Sequence, residues 1–303
     1  MSLSPTSLQA LADDAEFCAA LLARSSSLRA QVDAQMERIL VEQLDGLAAA
    51  SNPRQVEVTV DEATRDRLFA IVAQQWAHVG QEKPHFSVLS HPDWRPEQLN
   101  DERLQAFYET GRGELNLLRR LLAQLGLGLP SPGRCVELGC GVGRVTVHLA
   151  AEFGEVEGLD VSPGNLAECA QALAARGIGN VRLTQLQAPP DVERLAPFDL
   201  LFSRMVLQHN PPPIQHYLLR QLLARLRPGG VAVFQLVTGG PGYAYTAARH
   251  LQRHATTDFE MHALPMPALL ALLQASGCAL RDVFRDTAGG FNVSSYTFLV
   301  QKL

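Results

Sequence analysis

Gly139, Gly141 and Gly143, spaced by two, close the stretch 134–143, with Glu137 just before them and Cys140 between the first two. A short apolar run with Val136 and Leu138 leads in, and Arg144 to Ala150 take up a helical pattern, so the stretch reads strand, tight turn, helix. Glycine removes the β-carbon and admits positive φ. Backbone there can lie against a flat or extended ligand at the carboxyl edge of a parallel strand. Asp160 ends the next predicted strand, 21 residues after Gly139. In doubly wound nucleotide folds a carboxylate about 20 residues on reaches ribose hydroxyls. Asp160 also stands where a helix N-cap would, before Val161, Ser162 and Pro163, and the two roles are compatible. Ser203 and Arg204, at the end of a later predicted strand, face the same crevice.

The elements that must position these residues begin at Arg134, where strands and helices alternate regularly. Strands are expected at about 134–138, 155–160, 180–186, 198–203 and 230–237, and helices at 144–153, 164–175 and 213–226. That alternation implies parallel strands with right-handed crossovers. A helical insert (244–255) and a helix (267–276) follow, and strands at 279–285 and 295–301, joined by a Gly-Gly turn, form an antiparallel pair.

Upstream, Leu and Ala with interspersed charge recur at helical steps over residues 1–50, as two helices broken near Ser25, Ser26 and Ser27. Asp61 offers an N-cap to a helix running to about His78 and closed by Gly80. Residues 84–96, rich in proline and aromatics, suit either an ordered loop over a pocket or a packed connector. A helix from Asp101 to about Leu125 is interrupted by Gly111 and Gly113, which mark a bend or a close approach. The expected organisation is an N-terminal helical region over 1–100 and an α/β domain over 101–303 with an insert at about 238–264.

With 303 residues, 47% hydrophobic and 19% charged, the chain is globular and long enough for such a domain plus an appendage. A net charge of −5 offers no field for a polyanion, so neither nucleic acid nor an anionic membrane is an expected partner. Five scattered cysteines without a Cys-x-x-Cys pair suit reduced thiols. Neither a basic and apolar leader nor a run near the ~20 residues of a membrane span is seen, so a cytoplasmic protein is expected.

Residues 134–237 resemble the core of class I S-adenosylmethionine-dependent methyltransferases of small-molecule type. The stretch 136–143 is similar to that family's first motif, 158–162 to its second, 198–203 with 206–209 to its fourth, and 226–230 to the turn before its fifth strand. The resemblance implies a doubly wound, Rossmann-like, seven-stranded, mostly parallel sheet with an antiparallel last strand. S-adenosylmethionine is the implied cofactor. Gly139, Cys140, Gly141 and Gly143 would lie against its methionine part, Glu137 would orient its amino end, Asp160 would take the ribose, and Val161 would lie beside adenine. Where many members show Gly-Asp after the third strand, this chain has Leu186, Gln187 and Ala188, so the adenine amino group would be read by the Gln187 carbonyl or by backbone. A nicotinamide reading is disfavoured because the third glycine comes one residue early and Arg144 occupies the last position of Gly-x-Gly-x-x-Gly. Asn210, Pro211, Pro212 and Pro213 resemble the Asn-Pro-Pro motif of enzymes that methylate base amino groups. They stand too far past the fourth strand, with Pro213 in place of the stacking aromatic.

The implied activity is methyl transfer to a small-molecule acceptor, a metabolite, sugar or natural-product intermediate, chiefly at oxygen. The alternative is a regulatory or scaffolding protein that binds the cofactor without turnover. His209 is the first candidate base, with a capping or core histidine as the plain alternative, and Arg204 is a candidate anion clamp. Tyr108 and Arg112 either close over the cofactor or, for Tyr108, simply pack. Tyr243, Tyr245, His250, His254 and His262 of the insert are candidate acceptor contacts. His250 and His254 are four apart, which is metal-ligand spacing, and Glu260 and His262 follow. Arg249 and Arg253 share that spacing, so a solvated basic face or an anion-binding lid is expected there and no metal. The N-terminal helices would cap the cleft or form a homodimer surface.

Overall fold

The computed structural model describes residues 55–253, 259–290 and 292–303, together with residues 16, 19, 23, 24, 26, 27, 30 and 31. The scattered N-terminal positions are helical, Ser26 and Ser27 among them, against the break expected there. The remainder of 1–50, and with it the proposed cap or dimer surface, lies outside the described residues, as does His254. Residues Arg54–Leu303 form one compact unit. Residues 54–100, assigned from sequence to the N-terminal region, therefore fold with the sheet.

Strands β1 (Arg134–Leu138), β2 (Glu155–Asp160), β3 (Val181–Gln185), β4 (Phe198–Ser203), β5 (Leu226–Gly239), β6 (Cys278–Arg285) and β7 (Ser294–Lys302) form one seven-stranded sheet in the order β3-β2-β1-β4-β5-β7-β6. Strands β1 to β5 pair in parallel, and β7 is antiparallel to both β5 and β6. The alternation of side chains along each strand fills two layers. Val136, Leu201, Ala232, Phe234 and Phe298 enter one core, against helices α1 (Glu62–Glu82), α6 (Pro212–Arg225) and α8 (Met266–Ala275). Cys135, Leu200, Val231, Val233 and Leu299 enter the other, under α3 (Asp101–Gln124) and α4 (Thr146–Leu149).

Two glycines act as contact points. Gly80 does not close α1, which runs on to Glu82; a β-carbon there would stand 2.1 Å from Ser162 Oγ, at the start of α5 (Pro163–Ala175). A β-carbon on Gly111 would stand 1.9 Å from the Arg144 carbonyl, so α3 lies directly on the chain leaving the glycine loop. Helix α4 is shorter than the expected 144–153 because its flanks tighten into i→i−3 bonds, such as Ala151 N to His148 O at 3.2 Å. Residues 84–96 are ordered as the short helix α2 (Pro84–Val88) and the 3-10 turn Pro92–Trp94. No described helix is long and apolar enough to cross a membrane.

Candidate active site

The strand order reverses between β1 and β4, the position where open parallel sheets leave a crevice beyond their carboxyl ends. A cavity of about 920 Å³, its open mouth included, lies there. Its lining includes Glu137, Gly139, Cys140 and Gly141 after β1, Asp160 and Val161 after β2, and Arg204, Met205 and His209 after β4.

The glycine loop is held by its own backbone. Gly139 N and Cys140 N both donate to the Leu159 carbonyl, at 2.7 and 3.0 Å, and Gly141 N donates to Asp160 Oδ2 at 2.8 Å. Gly139, Gly141 and Gly143 all have positive φ, at 75°, 54° and 84°. A β-carbon on Gly141 would stand 2.6 Å from Val88 of α2, so α2 covers the loop. Gly143 instead faces Cys169 of α5 and is not part of the lining.

Asp160 accepts one backbone N–H on each oxygen, from Gly141 and from Ser162 at 2.8 Å, and burial raises its pKa. Each oxygen keeps another acceptor site. The N-cap of α5 is Ser162, so Asp160 is spared that role. Glu137 accepts a hydrogen bond from Thr146 Oγ1 at 2.6 Å, and burial pushes its carboxyl up to about 8. At neutral pH it is protonated and ready to ionise against an incoming cation.

Arg144 and Arg204 both line the cavity and share one carboxylate. Arg204 Nε is 2.8 Å from Glu114 Oε2 without hydrogen-bond alignment, and Arg144 Nη2 is 3.5 Å from Glu114 Oε1. Arg144 Nε is buried without a hydrogen-bond partner, and burial lowers the Arg144 pKa. Two guanidiniums facing one counter-charge leave an unbalanced positive charge, which favours an anion in the cavity.

His209 Nδ1 lies 3.0 Å from the Glu260 carbonyl, which can only accept, so the proton sits on Nδ1. Its Nε2 then accepts from the Gln208 amide at 3.3 Å. Burial lowers the His209 pKa, and its ring packs at 5.1 Å from Trp76, with Phe259 beside both. Gln208 continues a chain: Gln235 Nε2 donates to Gln208 Oε1 and Ser295 Oγ, both at 2.8 Å, and Ser295 Oγ donates to Asp286 at 2.6 Å. Met205, beside it, carries the φ of 58°, the one positive value at a non-glycine among the described residues.

Several expected contacts lie elsewhere. Gln187 is exposed, and Gln187 N and Ala188 N both donate to Asp191 Oδ2 at 2.8 Å, so neither faces the cavity; Leu186 does. Ser203 is buried, its hydroxyl donating to the Leu138 carbonyl at 3.1 Å between strands. Tyr108 does not close over the cavity; its hydroxyl donates to the Val142 carbonyl at 3.1 Å, Arg176 covers its ring, and burial pushes its pKa up to about 12. Arg112 is exposed and paired with Glu109 at 2.8 Å. Tyr243, Tyr245, His250 and His262 do not line the cavity either. They form a separate cluster in which both histidines turn inward to Glu260, while Arg249 and Arg253 are exposed. Phe69, Val72 and Trp76 of α1 and Arg144 line the cavity without a sequence expectation, while Ser87 and Val88 of α2 bring the stretch 84–96 over it, the first of its two expected roles. Only Arg144 had a sequence signal, its place directly after the third glycine.

The crevice, the glycine loop and the β2 carboxylate define a Rossmann-like ligand-binding domain. The family profile described as a methyltransferase domain matches residues 135–230. The trans-aconitate 2-methyltransferase of Methylobacterium nodulans is 34% identical over 177 residues, covering 52% of this chain and 62% of that protein. A protein-L-isoaspartate O-methyltransferase of Anaeromyxobacter dehalogenans is 32% identical over 130 residues, covering 43% and 57%. The chain thus spans less than two thirds of these curated relatives. The fold matches the magnesium protoporphyrin IX methyltransferase of Synechocystis at a TM-score of 0.53 and 16% identity, over 77% of this chain and 100% of that one. Residues 135–230 thus match a methyltransferase domain on a fold shared with that solved methyltransferase, and the cofactor of such a domain is S-adenosylmethionine. The residues fit that cofactor: the loop has no room for β-carbons, Asp160 has spare acceptor sites, and the Glu137 carboxyl and the unpartnered Arg144 Nε complement an amino-acid ammonium and carboxylate.

Proposed function

We propose that the protein methylates an oxygen of a small, carboxylate-bearing acceptor. The observation that carries this reading is the pair Arg144 and Arg204 in the cavity lining with Glu114 as their one shared carboxylate. The glycine loop and Asp160 hold the cofactor's place, Glu137 takes its ammonium, and Arg144 takes its carboxylate. Arg204 is fixed by Glu114 and by Thr297, whose hydroxyl accepts from Nη1 at 3.1 Å, and so presents a preset cation to the acceptor. S-adenosylmethionine supplies a sulfonium methyl, and its transfer to a carboxylate oxygen leaves a thioether and a methyl ester with no proton to remove. His209 is therefore a neutral wall residue and not a base, which agrees with its Nε2 lone pair being taken up by Gln208. The trans-aconitate in the relatives' name is an anion of the same chemical class.

The test is incubation of the full chain with S-adenosylmethionine and a panel of small carboxylic acids, their amides, and alcohols. S-adenosylhomocysteine together with a base-labile methyl ester is expected from the acids alone. Turnover confined to alcohols or amides overturns the carboxylate assignment. Calorimetry showing no affinity for either form of the cofactor overturns the whole reading.

A further inference from the structure

The cluster beside the cavity has no part in the reading above. His250 Nδ1 lies 3.5 Å and His262 Nε2 3.0 Å from the same oxygen, Glu260 Oε2. The three ligand atoms lie within 4.8 Å of one another. Both histidines are buried, at 8% and 6% exposure, and Glu260 is partly buried.

We propose that His250, Glu260 and His262 bind a divalent transition-metal ion of the zinc class, with three protein ligands and a fourth position for water. Metal bonds of about 2.0–2.1 Å arranged tetrahedrally separate neighbouring ligand atoms by roughly 3.3 Å. The two histidine–carboxylate separations, 3.0 and 3.5 Å, bracket that value, and the two imidazole nitrogens stand within 4.8 Å of each other, so the site closes on an ion by rotation of side chains already gathered there. Two imidazoles and one carboxylate select zinc-like ions over calcium and magnesium, which need more oxygen ligands.

The surroundings are those of a prepared site. His262 Nδ1 is 3.3 Å from the Tyr243 hydroxyl, the outer partner that fixes a ligating imidazole while Nε2 faces the ion. Tyr245 packs at 5.6 Å from His250 and 5.5 Å from His262, and its hydroxyl is buried with no hydrogen-bond partner. The backbone of the ligands is anchored as well. His262 N donates to the Gln208 carbonyl at 2.7 Å, the Gln215 amide donates to the His262 carbonyl at 3.3 Å, and the Glu260 carbonyl holds His209 Nδ1 at 3.0 Å. An ion here ties helix α7 (Ala247–Gln252) to the turn that carries His209. Arg249 and Arg253 are exposed, and the charge of Arg253, which reaches His250 and Glu260, is screened by solvent.

The proposal stands independently of methyl transfer, and its test needs no cofactor. The full chain, stripped with a chelator, is titrated calorimetrically with Zn²⁺ alone, and with Co²⁺ while its visible spectrum is recorded. One ion per chain with a Kd of about 1 µM or tighter is expected, with intense tetrahedral Co²⁺ bands. His250→Ala and His262→Ala should each weaken binding by about 100-fold or more, and Tyr243→Phe, which keeps all three ligands, by about 10-fold. Circular dichroism checks that each variant is folded. Absence of Zn²⁺ binding below ~100 µM by folded wild-type protein, or unchanged binding in the double histidine variant, overturns the site. S-adenosylhomocysteine binding, measured on the same samples, reports the cofactor cavity separately.

Discussion

At the glycine loop the cavity wall is backbone, whereas at the arginine wall it is side chains brought together from distant segments. Gly139, Cys140 and Gly141 are held by Leu159 and Asp160, which end the neighbouring strand, so one strand–turn–helix unit and the strand beside it complete that wall. The arginine wall needs Glu114 from α3, Arg144 beyond the loop, Arg204 beyond β4 and Thr297 from β7. Trp76 and Phe259 enclose His209 from two further segments. A backbone wall tolerates no β-carbon, while a side-chain wall can change its charge without losing its fold. Changes at the first should therefore remove cofactor binding, and changes at the second should alter the choice of acceptor.

The largest effect is expected from Gly141→Val. The left-handed φ of 54° costs a non-glycine residue about 1–2 kcal/mol, and the new β-carbon would meet Val88 at 2.6 Å. Calorimetry should show S-adenosylhomocysteine affinity reduced at least ~100-fold; an unchanged Kd would make the loop a packing turn only. Arg204→Ala should raise the acceptor KM about 10- to 100-fold, the weight of one charge-assisted contact, while the cofactor Kd moves less than about 3-fold. If both constants moved together, the two walls would not be separable.

Glu137→Gln sharpens the comparison through pH. The folded carboxyl titrates at about 8 against an ordinary 4.5, so its contribution to stability is fully present below that ordinary value and is lost as the pH rises toward 8. Cofactor affinity should run the other way: the ammonium favours the ionised carboxylate, binding releases a proton, and affinity should rise with pH up to about 8. The glutamine variant should bind with a flat pH profile and be about 10-fold weaker than wild type above pH 8. A wild-type profile already flat would remove Glu137 from the ammonium. His209→Asn should lower kcat by less than about 10-fold, whereas a general base contributes roughly 10² to 10⁴. A larger loss, with a new dependence on pH, would restore His209 as a base. Gln187→Ala should change the cofactor Kd by about 2-fold or less, since the side chain is exposed and the adjoining amides belong to Asp191. A larger change would bring that turn back to the cavity.

The same contrast explains what could be read in advance. The glycine spacing, the alternation from Arg134 onward and the carboxylate at 160 are local patterns, and each is realised where it was expected because backbone conformation and strand period are set by neighbouring residues. Leu186, Gln187 and Ala188 show the limit of that reading. Motif position placed Gln187 at the cofactor, but the 3-10 turn Pro189–Arg194 let Asp191 capture the amides and turned Leu186 inward. Tyr108 and Ser203 likewise stood in suitable places and were taken up by carbonyls of the loop and of β1.

By itself the sequence determined the sheet, its antiparallel end and the glycine loop, because strand period, glycine φ and turn chemistry act over a few residues. Only the tertiary structure decided that Glu114 serves two arginines, that α1 and α2 wall the cavity, and that His250, Glu260 and His262 converge on one oxygen. The first two are contacts between segments far apart in the chain, and the third depends on how one short segment folds back on itself; all are fixed by packing on the sheet and by which buried polar atom reaches a partner first.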